Sequence, residues 1–378
     1  MKKIALIGST GSIGRQVLSV IKRHGDIFSL VSLSAGNNSD LFLSQVKEFQ
    51  PKVATIINPI DVDKKEYPDT EFFFGENAFI NAITEDADII VVSLVGFKGI
   101  IAVLDAIKKG KNIALANKES LVVGGNIVMK LAKEKGVSIV PIDSEHSAVW
   151  QALSFDFSTP FSKIILTASG GAFRDYTKED LKTATAKKAL MHPNWNMGAK
   201  ITIDCATLVN KAFEVIEAKW FYNAPFSKID VIIHRESIIH SIVEFPDGAS
   251  VCQMSYPTME LPIQTALTYP ERKNCDLQGV DFAKLGKLTF SPLDNDRFPC
   301  FQLVVNAGKQ GGTYPAVVNG ANEEAVKRFL EGRISYNDIY KCLDNALNTY
   351  SGHNADTFED LCRADEFGRT SVKKLFGD

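Results

Sequence analysis

Short β-branched segments alternate with helical segments over the first third of the chain, and this alternation limits the possible fold more than any other feature. Strands are predicted over residues 3–7, 28–33, 53–57, 89–93, 112–115 and 138–141. Between them apolar residues recur at helical spacing, as Val17, Val20 and Ile21 do. Such alternation predicts the α/β class, with a doubly wound parallel sheet at the N-terminus.

The chain changes character after about residue 143. Strands predicted over 164–167, 231–233 and 241–245 are separated by polar segments that contain Gly and Pro, and the residues beyond 300 show helical spacing. The predicted organisation is a Rossmann-like cofactor domain over 1–142, an α+β catalytic domain over 143–275, a linker over 276–299 and a C-terminal helical bundle over 300–378.

Charge and cysteine usage exclude several classes of partner. The 378 residues include 42 Lys and Arg against 45 Asp and Glu, so no excess of positive charge favours nucleic acid or an anionic membrane. The longest apolar runs fall short of the roughly 20 residues that a membrane span needs. Six cysteines are scattered without a CxxC pair, which indicates reduced thiols in a cytoplasmic protein.

A glycine-rich turn follows the first predicted strand and begins a helix. Gly8, Gly11 and Gly14 follow a GxxGxxG spacing, in which backbone N–H groups and a helix N-terminus suit a pyrophosphate. The alternative is a plain glycine turn. Residues 34–38, after the second strand, contain no carboxylate that would repel a 2′-phosphate, which favours NADP over NAD, although no Lys or Arg lies there.

Two carboxylates stand close together after the last strand of the first sheet. If strand geometry continues past Pro141, Asp143 and Glu145 point to the same side, because side chains alternate with period two. A divalent cation would relieve their repulsion. The alternative is a pair of solvated carboxylates at a loop tip.

Three further segments carry candidate chemistry. Asn210, Lys211 and Glu214 would share one face of a helix and suit a ligand with a phosphate and a metal; the alternative is an exposed Lys–Glu pair. The loop over 191–198 contains Trp195, either a lid over a substrate or a core residue. Residues 116–120 follow the fifth strand, where ligands collect in parallel sheets, or simply begin a helix.

Taken in order along practically the whole chain, the motifs resemble the 1-deoxy-D-xylulose 5-phosphate reductoisomerase family. The shared segments are TGSIG at 10–14, ANKES at 116–120, DSEH at 143–146, SGG at 169–171, HPNW at 192–195, NK at 210–211, SIIHS at 237–241, RFPC at 297–300 and NGANE at 319–323. Each motif alone is weak evidence for the family, but the occurrence of all of them in this order is specific.

The resemblance implies an NADP-dependent oxidoreductase of non-mevalonate isoprenoid biosynthesis. It would rearrange 1-deoxy-D-xylulose 5-phosphate, a sugar phosphate, to an aldehyde and reduce this with NADPH to 2-C-methyl-D-erythritol 4-phosphate, with Mg²⁺ or Mn²⁺ bound. A cytoplasmic homodimer is also implied.

The resemblance also implies the site residues. The metal ligands would be Asp143, Glu145 and Glu214. The other catalytic and substrate-binding residues would be Lys118, Ser144, Ser169, His192, Trp195, Cys205, Asn210 and Lys211. The cofactor-binding residues would be Thr10, Gly11, Ser12, Ile13, Gly36, Asn37, Asn38, Asn117, Glu119, Met197 and Gly198. His240 matches a family histidine near the active site.

The chain departs from the family pattern at a few positions. Cys205 stands where the family generally has Ser, and a thiol donates hydrogen bonds weakly, so one phosphate contact would be softened. Ala212 replaces a usual Gly, residues 235–236 replace a common Pro-Gln, and Asn37 replaces a basic or small polar residue. None of the implied metal ligands is altered.

Two other functions fit parts of the sequence. An NADP-linked semialdehyde or homoserine dehydrogenase would share the first third of the chain but would not need the three carboxylates, so dependence on a divalent metal separates the two enzymes. A non-catalytic nucleotide sensor would keep the fold and bind NADPH without turning over a sugar phosphate.

Overall fold

A computed structural model describes residues 1–377, which form two compact units. The first unit contains Met1–Asn117, Val128–Ser147 and Met259–Leu277; the second contains Lys118–Ile127, Ala148–Thr258 and the residues from Gln278 on. The four-part division predicted above stays a prediction. The units group the segments differently, because Ile263, Ala266 and Leu267 are buried in the core of the first unit.

The first unit is built on a seven-stranded sheet in which every strand pair is parallel. Its strands are β1 (Lys2–Ile7), β2 (Phe28–Ala35), β3 (Val53–Ile56), β4 (Glu71–Phe74), β5 (Ile89–Val92), β6 (Asn112–Leu115) and β7 (Ile139–Pro141). The order β4-β3-β2-β1-β5-β6-β7 confirms the doubly wound sheet. Only β4, a short edge strand, was not predicted.

Helices connect the strands of this sheet and continue into the second unit. They are α1 (Ser12–Arg23), α2 (Ser39–Phe49), α3 (Gly99–Lys108), α4 (Glu119–Lys135), α5 (Ser144–Ala152), α6 (Lys178–Leu181), α7 (Ala186–Ala189), α8 (Ala199–Thr207), α9 (Val209–Phe221), α10 (Glu260–Thr268) and α11 (Phe282–Leu285), with 3-10 turns at Ala78–Ala82 and Phe226–Lys228. The buried face of α1 contains Val17, Val20 and Ile21, as their spacing predicts.

The order of the first sheet reverses at β1, since its neighbours β2 and β5 lie on opposite sides. Ligands of open parallel sheets bind at the carboxyl ends of the strands where such a reversal occurs. The segment that follows β1 begins with Gly8, so the glycine-rich turn lies at this switch point.

The second unit contains a mixed five-stranded sheet. Its strands are β8 (Lys163–Ala168), β9 (Ile229–Ile233), β10 (Ile239–Glu244), β11 (Ser250–Met254) and β12 (Ser291–Pro292), in the order β11-β10-β8-β9-β12. The sequence predicts β8, β9 and β10 but not the two edge strands. Edge strands bury little apolar surface, as the 43% exposure of Val251 in β11 shows. The alternation of apolar and polar residues that predicts a strand is therefore weak in them.

Four long helices end the chain and confirm the predicted C-terminal helical bundle. They are α12 (Pro299–Gln310), α13 (Tyr314–Leu330), α14 (Tyr336–Asn348) and α15 (Phe358–Leu375). Helices α13 and α15 pack closely because glycines lie at their crossing: a Cβ at Gly320 would come within 2.1 Å of the Asp365 carbonyl oxygen. Among the described residues, none of the helices has the length and apolar character that crossing a bilayer requires.

Candidate active site

The glycine-rich turn of the first unit has the geometry of a phosphate loop. Gly8 has φ +101°, and a Cβ at Gly14 would lie 2.1 Å from the Gly8 carbonyl oxygen, so both positions need glycine. Gly11 precedes α1, and no side chain caps the first turn of this helix. Thr10, Gly11, Ser12 and Ile13 therefore surround an N-terminus suited to a phosphate anion.

The segment after β2 is neutral, as the sequence indicates. A Cβ at Gly36 would meet no atom within 4 Å, so the backbone there borders open space. Asn37 is exposed, whereas the side-chain oxygen of Asn38 accepts a hydrogen bond from the Leu41 N–H at 3.2 Å and caps α2. The space and the absence of negative charge fit a 2′-phosphate.

Asn117 follows β6 and holds the loop that follows β5. Its buried side-chain amide donates hydrogen bonds to the carbonyl oxygens of Leu94 and Gly96, both at 3.0 Å. The arrangement shapes the carboxyl end of the sheet, beside the strand reversal.

The expected strand geometry of Asp143 and Glu145 is wrong. β7 ends at Pro141 and α5 begins at Ser144, so Asp143 immediately precedes a helix and Glu145 lies in its first turn. The Ser144 N–H donates to Asp143 Oδ1 at 3.1 Å, and the Ser144 hydroxyl donates to Glu145 Oε2 at 2.6 Å. Carboxylates are favoured here because a helix N-terminus carries partial positive charge. The two carboxylates are still neighbours, because both lie at the start of α5 and not because side chains alternate along a strand.

In the second unit, Glu214 is the centre of a buried charged cluster. Lys118 Nζ donates to its Oε1 at 3.2 Å, Asn210 Nδ2 donates to the same oxygen at 2.6 Å, and Lys211 pairs with Oε2. The side chains of Glu214 and Lys211 are only 1% and 5% exposed. Their predicted common helix face is confirmed, and the alternative of an exposed Lys–Glu pair is excluded.

A break between two helices places this cluster. Leu208 has φ 60°, a left-handed conformation that separates α8 from α9. Asn210 and Lys211 therefore lie in the first turn of α9, which has no side-chain cap. A helix N-terminus with a lysine in its first turn attracts an anion such as a phosphate.

Cys205 lies in the last turn of α8, two residues before Thr207 ends it. Burial, together with the negative charge of Glu214, raises the pKa of the Cys205 thiol. The thiol is therefore protonated at neutral pH, and it can offer a ligand only the weak S–H donor.

His192 is neutral and has a defined tautomer. Its Nδ1 accepts hydrogen bonds from the N–H groups of Asn194 at 3.2 Å and Trp195 at 3.0 Å. The proton must therefore be on Nε2, which lies 3.0 Å from the Ser169 hydroxyl oxygen and donates to it. Burial, aided by the charge of Arg174, lowers the pKa of His192 to about 4.

The 191–198 loop keeps Trp195 out of the core. Its ring is partly exposed and meets the His240 ring edge-on at a centroid distance of 6.0 Å. His240 Nε2 lies 3.0 Å from the Ser255 hydroxyl. Met197 and Gly198 come directly before α8. A partly exposed indole on a polar loop favours the lid over the core alternative.

Sequence reasoning missed a second buried network in this unit. Lys200 Nζ bridges Glu119 Oε1 and Asp204 Oδ2, at 2.8 Å each, and Asn322 Nδ2 donates to Asp204 Oδ1 at 2.8 Å. Lys200 and Asp204 stand four residues apart, the spacing of a helical ion pair, and this signal was available in the sequence. Arg174, whose guanidinium donates to the Ser169 carbonyl and to Asn194, was also missed.

Family models and known proteins agree on one relationship. A 1-deoxy-D-xylulose 5-phosphate reductoisomerase model matches residues 4–125, its C-terminal domain model matches 139–222, and a DXP reductoisomerase C-terminal domain model matches 254–371. Reductoisomerases of Geobacillus sp. (strain WCH70) and Listeria monocytogenes serotype 4b (strain F2365) are 46% and 44% identical over 380 and 382 residues, covering 99% of this chain and 100% of each relative.

Solved structures give the same result. The Zymomonas mobilis reductoisomerase in complex with NADPH superposes with a TM-score of 0.92 at 35% identity, covering 100% of this chain and 99% of that one. A DOX-P reductoisomerase in complex with NADPH, fosmidomycin and magnesium has a TM-score of 0.93 at 34% identity, with 100% and 98% covered. The chain belongs to the 1-deoxy-D-xylulose 5-phosphate reductoisomerase family.

Proposed function

We propose that this chain converts 1-deoxy-D-xylulose 5-phosphate to 2-C-methyl-D-erythritol 4-phosphate in non-mevalonate isoprenoid biosynthesis, using NADPH and a divalent metal. Membership of the family over the whole chain supports this NADP-dependent oxidoreductase activity. The single structural observation that carries it is the buried cluster in which Lys118, Asn210 and Lys211 converge on Glu214. A semialdehyde or homoserine dehydrogenase would not need Glu214 as one of three metal-binding carboxylates.

The metal would be Mg²⁺ or Mn²⁺, held by Asp143, Glu145 and Glu214. Three carboxylates form the oxygen-rich donor set that a hard divalent cation prefers. Lys118 and Lys211 pair with the buried Glu214 and fix the position of its carboxylate. Relatives solved with magnesium support the same choice of ion.

The cofactor would be NADPH. The uncapped first turn of α1 would bind its pyrophosphate through Thr10, Gly11, Ser12 and Ile13. The remaining contacts would come from Gly36, Asn37, Asn38, Asn117, Glu119, Met197 and Gly198. The neutral segment after β2 accepts a 2′-phosphate, which supports NADP over NAD.

The substrate's phosphate would be bound by Ser169, His192, Cys205, Asn210 and Lys211. Because His192 donates from Nε2 to Ser169 Oγ, the hydroxyl hydrogen of Ser169 can point toward a phosphate oxygen. Lys211 and the N-terminus of α9 supply the positive charge.

The rest of the substrate would be held by other residues. Lys118 and Ser144 would contact the carbon backbone, and Trp195 would cover the substrate and exclude water. When bound, NADPH supplies the hydride and the divalent cation polarises the carbonyl and hydroxyl oxygens of the sugar. The residues of this chain orient the sugar phosphate for the rearrangement and for the reduction.

The active form would be a homodimer in the cytoplasm. The described cysteines are all free thiols, as expected of a reducing compartment. The open edge strand β11 offers unpaired backbone groups to a second copy of the chain.

The proposal is tested by following NADPH oxidation after addition of 1-deoxy-D-xylulose 5-phosphate, with Mg²⁺ and then with excess EDTA. We expect turnover that EDTA abolishes and that added Mg²⁺ or Mn²⁺ restores. Bound NADPH without turnover would favour the sensor, and turnover of another substrate that resists EDTA would favour a simple dehydrogenase.

Glu214→Gln tests the metal assignment at one residue. The amide keeps the shape but removes a negative charge from the donor set, so we expect kcat to fall on the order of 100-fold or more. The Kd for NADPH should stay nearly unchanged. Glu324→Gln, which alters another buried carboxylate that pairs with Arg328 at 2.8 Å, is the control and should leave kcat unchanged. Full activity of Glu214→Gln would remove Glu214 from the metal site.

A further inference from the structure

We propose that Asn322, acting through Asp204 and Lys200, positions Glu119 and helix α8 for cofactor binding. All four residues lie in the second unit, and Asn322 belongs to α13 of the C-terminal bundle. The inference rests on the proposed function, in which Glu119, Met197 and Gly198 contact NADPH. It assigns the bundle a positioning role in the reaction.

The network is continuous and buried. The two carboxylates bound by Lys200 are 9% and 2% exposed as side chains, and Asn322 is fully buried. Each of the three links is 2.8 Å long, a normal length for charge-assisted hydrogen bonds. Such hydrogen bonds weaken if one partner moves, because no water is available at a buried charge to replace the lost partner.

The charges of the network depend on one another. Burial opposes ionisation of Glu119, but Lys200, together with a backbone hydrogen bond and the charge of Lys118, lowers the pKa of this carboxyl. Burial raises the pKa of Asp204, and Lys200 and the Asn322 amide oppose that rise. Asn322 thus helps to keep Asp204 charged, and a charged Asp204 holds the Lys200 ammonium in place against Glu119.

The network also fixes α8 near both of its ends. Lys200 lies in the first turn of this helix, two residues after Gly198, and Asp204 lies one residue before Cys205. The helix therefore links two residues proposed to contact NADPH, just before its start, with Cys205, proposed for the substrate's phosphate, in its last turn. A shift of α8 would misplace Met197 and Gly198 together with Glu119.

The same helix offers a matched control. Asn319, three residues before Asn322 on α13, is also a fully buried amide. Its side chain donates to Asp365 at 3.0 Å and Glu323 at 3.1 Å, both within the C-terminal helices. Replacing either asparagine removes a buried amide from α13, but only Asn322 bonds to α8.

The experiment compares Asn322→Ala, Asn319→Ala and Lys200→Met in the full-length protein. The Kd for NADPH is measured by fluorescence titration without substrate, and stability by urea unfolding. We expect the Kd to rise about tenfold or more in Lys200→Met, which removes the charge-assisted hydrogen bond to Glu119, and about fivefold in Asn322→Ala, which affects Glu119 only indirectly. Asn319→Ala should lose stability as Asn322→Ala does, yet keep its Kd within about twofold of wild type.

Asp204→Asn provides a second test if Asn322→Ala fails to fold. It keeps the size of the side chain and removes the charge that holds Lys200, so we expect the Kd and KM for NADPH to rise at least about fivefold with little change in kcat. An unchanged NADPH affinity in a folded Asp204→Asn or Asn322→Ala protein, or an equal rise in Asn319→Ala, would overturn the positioning role. Failure of wild type to bind NADPH would instead overturn the proposed function.

Discussion

At the scale of the residue, the chemistry of this chain depends on side chains whose surroundings set their protonation. Cys205 keeps its proton and is a poor donor, His192 stays neutral, and Lys211 and Glu214 form a buried salt bridge. The atoms around each group set its protonation state. A single substitution can therefore test the role given to one residue.

Cys205→Ser should leave the KM for the sugar phosphate unchanged or lower it by up to about tenfold. A hydroxyl donates a stronger hydrogen bond than a thiol and is close to it in size. Steady-state kinetics at saturating NADPH checks the prediction. A clear rise in KM would mean that the pocket is fitted to the larger sulfur atom.

His192 makes the second unit less stable in mild acid. Its pKa lies near 4 in the folded protein against an ordinary value of 6.5, so the unfolded chain binds the proton first. Its contribution to stability is complete above about pH 6.5 and is lost as the pH falls toward 4.

Urea unfolding between pH 7 and pH 4.5 tests this assignment. We expect wild type to lose more stability over the range than His192→Asn, whose amide oxygen can still accept from the loop N–H groups but does not titrate. Parallel losses in the two proteins would show that other groups dominate the acid response.

At the scale of the element, turns place the functional groups. The close approach of Gly14 to Gly8 shapes the phosphate loop, and the left-handed Leu208 ends α8 so that α9 can begin with Asn210 and Lys211. In both places a helix N-terminus is left without a side-chain cap. Its N–H groups are therefore oriented for an anion.

Gly14→Ala should destabilise the first unit by about 1–3 kcal/mol and weaken NADPH binding at least about tenfold, because the added methyl group would force the Gly8 carbonyl to move. Gly25→Ala is the control, since its Cβ would meet the Lys22 carbonyl oxygen at an ordinary 3.7 Å. Calorimetry and NADPH titration measure both effects. Normal binding by Gly14→Ala would remove this turn from the cofactor site.

At the scale of the whole molecule, the open edge of the second sheet bears on assembly. Among the residues that the structure describes, strand β11 pairs only with β10, and Val251 is exposed. We expect light scattering to give about twice the 41.5 kDa of one chain. Val251→Lys should shift the protein toward monomer, whereas Phe282→Lys, at another exposed apolar residue, should not. A monomeric wild type would contradict the proposed dimer.

The sequence by itself determined the local features of this protein. The parallel sheet, the glycine-rich turn and the common face of Asn210, Lys211 and Glu214 follow from periodicity and spacing, which act between residues close in the chain. Asp143 and Glu145 show where local reasoning fails. The sequence identified them as a pair of neighbouring carboxylates, but it did not decide whether the strand continues past Pro141 or a helix begins there, and the structure has a helix.

Only the tertiary structure decided which charges meet. Lys118 pairs with Glu214 across 96 residues, and Asn322 bonds to Asp204 across 118. No spacing rule reaches so far, because such pairs depend on how helices pack and on which buried charges can share a partner away from water. The chemistry-bearing residues were visible in the chain, and packing chose their partners.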